Sequence, residues 1–184
     1  METLYKNIYQ DLIDGCKEGN QKAQFQLYKL YYKTMYSVSM RIINDEMEAE
    51  DVMQEAFLSA FEKIDTYKGE VSFGAWLKKI VVNRSLDHLK KKRVKFEEVT
   101  EKTARIPDYQ MEIKEVAMTV IKNAIQQLPD GYRVVLSLYL IEGYDHEEIS
   151  QILEISNSAS RTQLLRAKNK LREQLKDKEI FSYN

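Results

Sequence analysis

The chain has 184 residues, a formal net charge of -1 and 43% hydrophobic residues, enough apolar material to bury a core in one domain or in two small ones. Only two Pro and six Gly interrupt it, and plentiful Leu, Lys, Glu, Gln, Ala and Met favour helix almost throughout, so the expected class is all-α. Its single cysteine, Cys16, excludes a disulfide framework. With no apolar signal segment at the N-terminus and no apolar run of membrane length, the expectation is a cytoplasmic protein without direct membrane insertion.

In chain order, Phe25 to Ile43 reads as an apolar-rich helical stretch with a dense set of tyrosines, Tyr28, Tyr31, Tyr32 and Tyr36. Ala49, Val52, Met53, Ala56, Phe57, Ala60, Phe61 and Ile64 then recur at three- and four-residue steps. That spacing puts an apolar stripe on one side of a helix of about four turns, and Glu50, Asp51, Gln54, Glu55 and Glu62 take its other side. Trp76, Leu77, Ile80 and Val81 begin a third helix that runs into the cluster Lys90, Lys91, Lys92 and Arg93. Together these segments predict one compact helical domain over residues 1–95.

From Val94 to about Ile113 the hydrophobic rhythm fades and Pro107 forbids an uninterrupted helix, which makes residues 96–113 a flexible linker. Residues 114–184 form the second domain. Ala117, Val120, Ile121, Ala124, Ile125 and Leu128 restore the helical period, and Leu128-Pro129-Asp130-Gly131 marks a turn. A nearly all-apolar helix from Arg133 to Ile141 ends at Glu142-Gly143. A short helix from about His146 to Leu153, a tight turn and a long helix from about Asn157 to Lys176 complete the chain. No internal repeat of fixed period is evident.

The near-zero net charge conceals a segregated pattern. Charges from Asp45 to Glu62 are all acidic, whereas Lys78, Lys79, Arg84, Lys90, Lys91, Lys92, Arg93 and Lys95 face only Asp87. A mixed, mostly acidic stretch follows from Glu97 to Glu115, and a basic one from Arg161 to Lys178. Affinity for phosphates depends on the local field, so two basic faces can follow a polyanion at two places; a solvated helix face explains either run alone equally well.

Ile149, Ile152, Leu153 and Ile155, followed by Leu164, Leu171 and Leu175, have the spacing by which a short helix is clamped across a longer one through a tight turn. This is a helix-turn-helix pattern. In that geometry the first turns of the second helix enter the major groove, displaying Ser158, Ser160, Arg161, Thr162 and Arg166, with the two arginines best suited to guanine edges or phosphates.

The ordered set of motifs resembles the extracytoplasmic-function sigma factors of bacterial RNA polymerase. The stretch Glu48-Ala49-Glu50-Asp51-Val52-Met53-Gln54-Glu55-Ala56-Phe57-Leu58 resembles that family's polymerase-binding helix, and the run from Phe73 through Asn83-Arg84 to Leu89 is similar to its promoter-melting helix. Leu128-Pro129, Arg133, Glu142-Gly143, Glu148-Ile149 and Arg166-Ala167-Lys168 fall in the order of its C-terminal DNA-binding region. The likeness covers about residues 20–176, the linker excepted.

By that resemblance the chain is an alternative sigma factor, with polymerase core and promoter DNA as partners. Asp51, Gln54, Glu55 and Phe57 would contact the coiled coil of the polymerase's largest subunit, although packing in a core explains Phe57 better. The loop from Asp65 to Ser72 would capture an unpaired base of the minus-ten element, with Lys78, Lys79, Asn83, Arg84, Lys90, Lys91, Lys92 and Arg93 on the strand's backbone. Phe73 and Trp76 share the helix's apolar side and read as core, leaving Tyr67 to stack on the base. Ser158, Ser160, Arg161, Thr162, Arg166 and Lys168 would read the minus-thirty-five element. The family is often held inactive by an anti-sigma factor, and no residue here identifies one.

This sequence departs from the family pattern at Ser150, at Glu154 where the turn often has Gly, and at Ala159-Ser160. Glu154 requires an altered turn or some strain. A two-domain regulator with a helical sensor would share the C-terminal half but not the polymerase-binding and melting motifs. A helical interaction protein would lack the DNA-binding faces. As for an enzyme, His88 and His146 are isolated, no metal-ligand spacing occurs and no phosphate-binding Gly loop is present; neither a catalytic residue nor a cofactor or metal is expected.

Overall fold

Every regular element of the computed structural model, which describes residues 7–96 and 113–176, is helical. Contacts divide the chain into two units, the division falling after Phe96.

In the first unit, α1 (Gln10–Lys17) leads into α2 (Gln21–Ile43), α3 (Glu46–Glu62), a 3₁₀ turn (Ile64–Thr66) and α4 (Phe73–Phe96). Local chemistry sets the boundaries. Asn20 Oδ1 accepts from the Lys22 and Ala23 N–H groups at 2.9 and 3.3 Å, satisfying donors that α2 leaves open. At the other end Asn44 adopts the left-handed conformation, φ 61°, which Asn tolerates better than most residues. One residue later Asp45 caps α3 through the Glu48 N–H at 3.1 Å. Acidic Glu46 and Glu48 sit in that first turn, where the helix dipole favours them.

α2, α3 and α4 pack pairwise, and α1 packs on α2 and the 3₁₀ turn. Leu27, Met35 and Val38 of α2, Val52, Met53 and Phe57 of α3, and Phe73, Leu77 and Val81 of α4 are buried; each contributes about 2 kcal/mol of transfer free energy. α1 approaches α2 closely because Gly15 faces Ala23: a Cβ at Gly15 lies 3.0 Å from the Ala23 Cβ. The tyrosines of α2 pack between helices. Tyr28 meets Phe57 edge-on at 4.9 Å between ring centroids and stacks on Tyr32 at 5.7 Å, while Tyr31 meets Phe73 at 5.5 Å. Such aromatic pairs add about 0.5–1.5 kcal/mol beyond their area.

In the second unit, α5 (Ile113–Gln126), α6 (Asp130–Leu140) and α7 (His146–Leu153) all contact α8 (Asn157–Lys176). The run Arg133 to Leu138 of α6 is wholly buried. Its one charge is matched: the Arg133 guanidinium donates to the Leu128 carbonyl at 3.1 Å and to Asp130 Oδ1 at 2.7 Å, as a buried cation must.

Several boundaries differ from the sequence reading: α1 has no counterpart in it, and α2 and α5 begin at Gln21 and Ile113, four residues ahead of Phe25 and Ala117. α6 begins at Asp130, inside the expected turn, because Pro129 caps it: Pro has a fixed φ and no N–H to leave unsatisfied. α4 continues through Phe96, past the point where the apolar rhythm fades, since Lys and Arg sustain a helix without burial. The linker between the units, residues 97–112, lies outside the described residues.

Candidate protein and nucleic-acid interfaces

α3 separates its two sides cleanly. Ala49, Val52, Met53, Ala56 and Ala60 turn inward, and Asp51, Gln54 and Glu55 are exposed. Phe57, expected on the binding face, is only 2% exposed and packs on Tyr28 and Phe61. Its place outside is taken by Leu58, 64% exposed, with Met47 at 80% one turn before Asp51. At about 100° per residue these two fall on the same stripe as Asp51 and Gln54. The outer face is thus an acidic surface carrying two apolar side chains. A groove of about 450 Å³ beside it is lined by Phe25 and Tyr28 of α2 and by Leu58 and Phe61 of α3.

The loop following the 3₁₀ turn corrects a second expectation. Tyr67, assigned to stack on a base, is 4% exposed. Its ring lies 5.6 Å from Phe73 and 5.3 Å from Trp76. Its hydroxyl donates to the Val71 carbonyl at 2.6 Å and accepts from Asn7 Nδ2 at 2.8 Å. A hydroxyl with both roles satisfied has no reason to leave the core. Phe73 is fully buried and Trp76 half-buried, so the loop's outer surface is formed by Lys68, Glu70 and Val71, all exposed.

Along α4 the helical period sorts the cations. Lys79, Asn83, Arg84, Lys90 and Lys91 are exposed on one side. Lys78 is half-buried toward the packed side. Lys92 faces α3 and gives its ammonium to Glu48 Oε1 and Oε2 at 2.7 and 2.6 Å. A continuous run of basic residues cannot all point one way on a helix, and Lys78 and Lys92 therefore lie off the exposed basic face. Arg84, though exposed, also donates to Ser59 Oγ at 2.5 Å, which fixes its guanidinium against α3. The Arg93 side chain lies outside the described residues.

In the second unit α7 and α8 form the helix-turn-helix. Asp145 caps α7 in a reciprocal box with Glu148, the two bonds at 2.8 and 2.9 Å. Glu154 closes the helix at φ 56°, ψ 41°, taking the left-handed conformation that glycine adopts without strain. Ser156 Oγ accepts from the Ala159 N–H at 3.0 Å as α8 begins. On α8, Ser158, Arg161, Thr162 and Arg166 are exposed and share one face. Arg161 Nε donates to Asn157 Oδ1 at 2.8 Å, and Asn157 Nδ2 donates to Glu147 Oε2 at 3.3 Å, a chain that orients the guanidinium.

Ser160, expected beside Ser158 and Arg161, does not stand on that exposed face. It is fully buried, lying about 200° around the helix from Ser158, and pairs through Oγ with His146 Nδ1 at 2.9 Å. The His146 ring stacks on Tyr139 at 4.6 Å. Burial, then the positive charges of Arg161 and Lys168, hold the His146 pKa below the usual histidine value, against the opposing pull of Asp145. Half-buried Lys168 places its Nζ 5.7 Å from the centroid of the Tyr139 ring, at the edge of the face and not on it.

Among these residues, sequence reasoning missed Asn7, Leu58, Met47 and Asn157. Leu58 and Met47 were detectable as apolar residues out of phase with the stripe. Asn157, at the start of a helix and four residues before Arg161, was detectable as an i, i+4 partner. Nothing in sequence pairs Asn7 with residues sixty positions away. No group of His, Cys, Asp and Glu among the described residues can hold a metal ion.

Comparison with known proteins agrees with this division. The family model of Sigma-70 region 2 matches residues 27–94, and that of Sigma-70 region 4 matches residues 119–171. The chain is 31% identical over 178 residues to the ECF RNA polymerase sigma factor SigW of Bacillus subtilis, covering 90% of this chain and 95% of that one. It is 28% identical over 173 residues to the RNA polymerase sigma-H factor of Pseudomonas aeruginosa, covering 86% and 89%. Among solved structures it shares its fold with the sigma factor RpoE of Bartonella quintana, in complex with the anti-sigma factor NepR, at TM-score 0.61 and 21% identity over 82% of this chain and 95% of that one. The identity to SigW extends across both units, and each unit matches its own sigma-70 region: the chain belongs to the extracytoplasmic-function sigma factors of bacterial RNA polymerase.

Proposed function

We propose the following division of labour for this alternative sigma factor, a non-enzymatic subunit that binds core RNA polymerase and directs it to promoters. Asp51, Gln54 and Glu55, with Leu58 in the place first given to Phe57, dock on the core enzyme; an acidic helix face set with apolar side chains suits a basic helical partner. The loop of residues 65–72 and the outer face of α4, Lys79, Asn83, Arg84, Lys90 and Lys91, hold the opened strand of the minus-ten element. Ser158, Arg161, Thr162 and Arg166 read the minus-thirty-five element as a duplex. The domain limits that follow are residues 1–95 and 114–184, with the linker between them.

Opening a duplex costs about 1.4 kcal/mol of stacking per base-pair step, so a protein that binds the separated strand shifts the equilibrium without chemistry of its own. One observation carries the reading: the exposed faces of α3, α4 and α8 have different characters, acidic, basic and basic with hydroxyls, matching a protein, a single strand and a duplex. Among the described residues no helix is long and apolar enough to cross a membrane, and we place the chain in the cytoplasm with its polymerase. Control by an anti-sigma factor belongs to the same proposal, by likeness to RpoE of Bartonella quintana.

Run-off transcription with purified core polymerase and genomic fragments tests it. Specific transcripts are expected only when the chain is added. Charge reversal at Asp51 and Glu55 should abolish association with core, and charge reversal at Arg161 and Arg166 should abolish upstream-element binding alone. Failure of the wild-type chain to join core polymerase overturns the reading.

A further inference from the structure

We propose that Asn7 is a positioning residue for promoter opening: it latches the loop of residues 67–72 in the shape that receives the unpaired base. The inference rests on reading that loop as the minus-ten capture element. Asn7 lies ahead of α1, 8% exposed, and bridges two points of the loop. Its Nδ2 donates to the Tyr67 hydroxyl at 2.8 Å, and its Oδ1 accepts from the Phe73 N–H at 2.9 Å. Nδ2 also reaches Gln10 Oε1 at 3.3 Å, which ties the latch to α1.

The Phe73 N–H is one of the donors that the first turn of α4 cannot satisfy internally, so Asn7 fixes where the loop ends. The Tyr67 hydroxyl, donating to the Val71 carbonyl at 2.6 Å, closes the loop across its own neck. Between these two ties Lys68, Gly69 and Glu70 project outward, and Gly69 has φ 77°, a turn open to glycine at no steric cost. Tyr67 is thus the post on which the loop is hung. Its ring is fixed by Phe73 and Trp76, and Asn7 orients the hydroxyl. A loop already in its bound shape loses less conformational freedom on capturing a base.

The test uses holoenzyme, the full chain with core polymerase, and a fluorescent fork DNA whose minus-ten region is single-stranded, taken from a promoter active in run-off transcription. Asn7→Ala and Tyr67→Phe should each weaken retention of the single strand about tenfold, as expected for a binding loop that has lost its preorganisation. The double variant should be no weaker than the worse single one, because either change opens the same latch. Affinity for core polymerase and for the duplex upstream element should stay within twofold of wild type, a reading that general loss of structure would not give. Tyr67→Phe keeps the packed ring, so it remains informative even where Asn7→Ala folds poorly. Wild-type strand retention in both single variants, or parallel loss of core binding, overturns the latch. Failure of wild-type holoenzyme to retain the strand overturns the reading of the loop and the latch with it.

Discussion

Glu48 on α3 gives both carboxylate oxygens to the Lys92 ammonium on α4, at 2.7 and 2.6 Å, and one of them to His88 Nε2 at 3.1 Å. The three side chains are each about a third exposed or less. Burial by itself raises the Glu48 pKa, but hydrogen bonds from Lys92 and His88 outweigh it and hold the carboxyl below its usual value. A depressed carboxyl stabilises the fold above the unfolded value, near 4.3, and that contribution is lost as pH falls through the folded value. Glu48→Gln should destabilise the first unit by about 1 kcal/mol at neutral pH. It should also flatten the acid limb of stability against pH, measured by chemical denaturation between pH 3 and 7. An unchanged limb would show that this joint does not couple protons to folding.

The same pairing divides the basic cluster. Lys90 and Lys91 are exposed on the outer side of α4, whereas the Lys92 ammonium turns to Glu48 on α3. Replacing Lys90 or Lys91 by Ala should weaken binding of the opened strand and reduce the slope of log affinity against log salt by about 0.7 for each phosphate no longer neutralised. Lys92→Ala should leave that slope unchanged and lower stability instead. A salt titration of fork-DNA binding distinguishes the outcomes, and equal effects from all three lysines would return Lys92 to the strand.

Glu154 holds a left-handed backbone at the tight turn before α8. For an L-residue this conformation costs about 1–2 kcal/mol, partly offset by the greater unfolded-state entropy of the glycine that would replace it. Glu154→Gly should therefore stabilise the second unit by about 1 kcal/mol, read as a rise in its thermal midpoint, with no loss of duplex binding. A lower midpoint would mean that the glutamate side chain contributes more than its backbone costs.

The all-helical class, both modules and the outward faces of α3, α4 and α8 were legible because each depends on a period within one helix. Asp51, Gln54 and Glu55 are polar residues out of phase with an apolar stripe, and Arg161 and Arg166 are exposed while Leu164 and Ala167 are buried. The misassigned residues depend on contacts between elements. Tyr67 reads as a loop tyrosine until Asn7 and Trp76 enclose it, Ser160 as a displayed hydroxyl until His146 occupies it, and Lys92 as one more cation until α3 brings Glu48 beside it. Helical phase alone was enough to place Phe57 inside, since it shares the stripe of Met53 and Ala60; the family pattern argued the other way.

Arg161 and Ser160 are adjacent in sequence and opposite in role. The Arg161 guanidinium stands on the exposed face of α8, held by Asn157 at 2.8 Å. Arg161→Ala should cost about 1–3 kcal/mol of duplex affinity, and, where the contact is to a guanine edge, it should relax the preference at one base pair of the minus-thirty-five element. Asn157→Ala should cost less, because it frees the side chain without removing it. Ser160→Ala should leave duplex affinity within twofold and instead destabilise the second unit by about 1 kcal/mol. His146 then keeps its place against Tyr139 but loses a hydrogen bond in the core. The depressed His146 pKa means that stability from the neutral ring is fully present above the unfolded histidine value, near 6.5, and is lost as pH falls through the folded one. Burial and the charges of Arg161 and Lys168 depress that pKa and remain in Ser160→Ala, so the variant should keep the stability slope just below pH 6.5. Electrophoretic retardation with a promoter duplex, set beside thermal melting at pH 5.5 and 7.5, separates reading from support; a tenfold loss of duplex affinity in Ser160→Ala with unchanged melting would put the serine back among the bases.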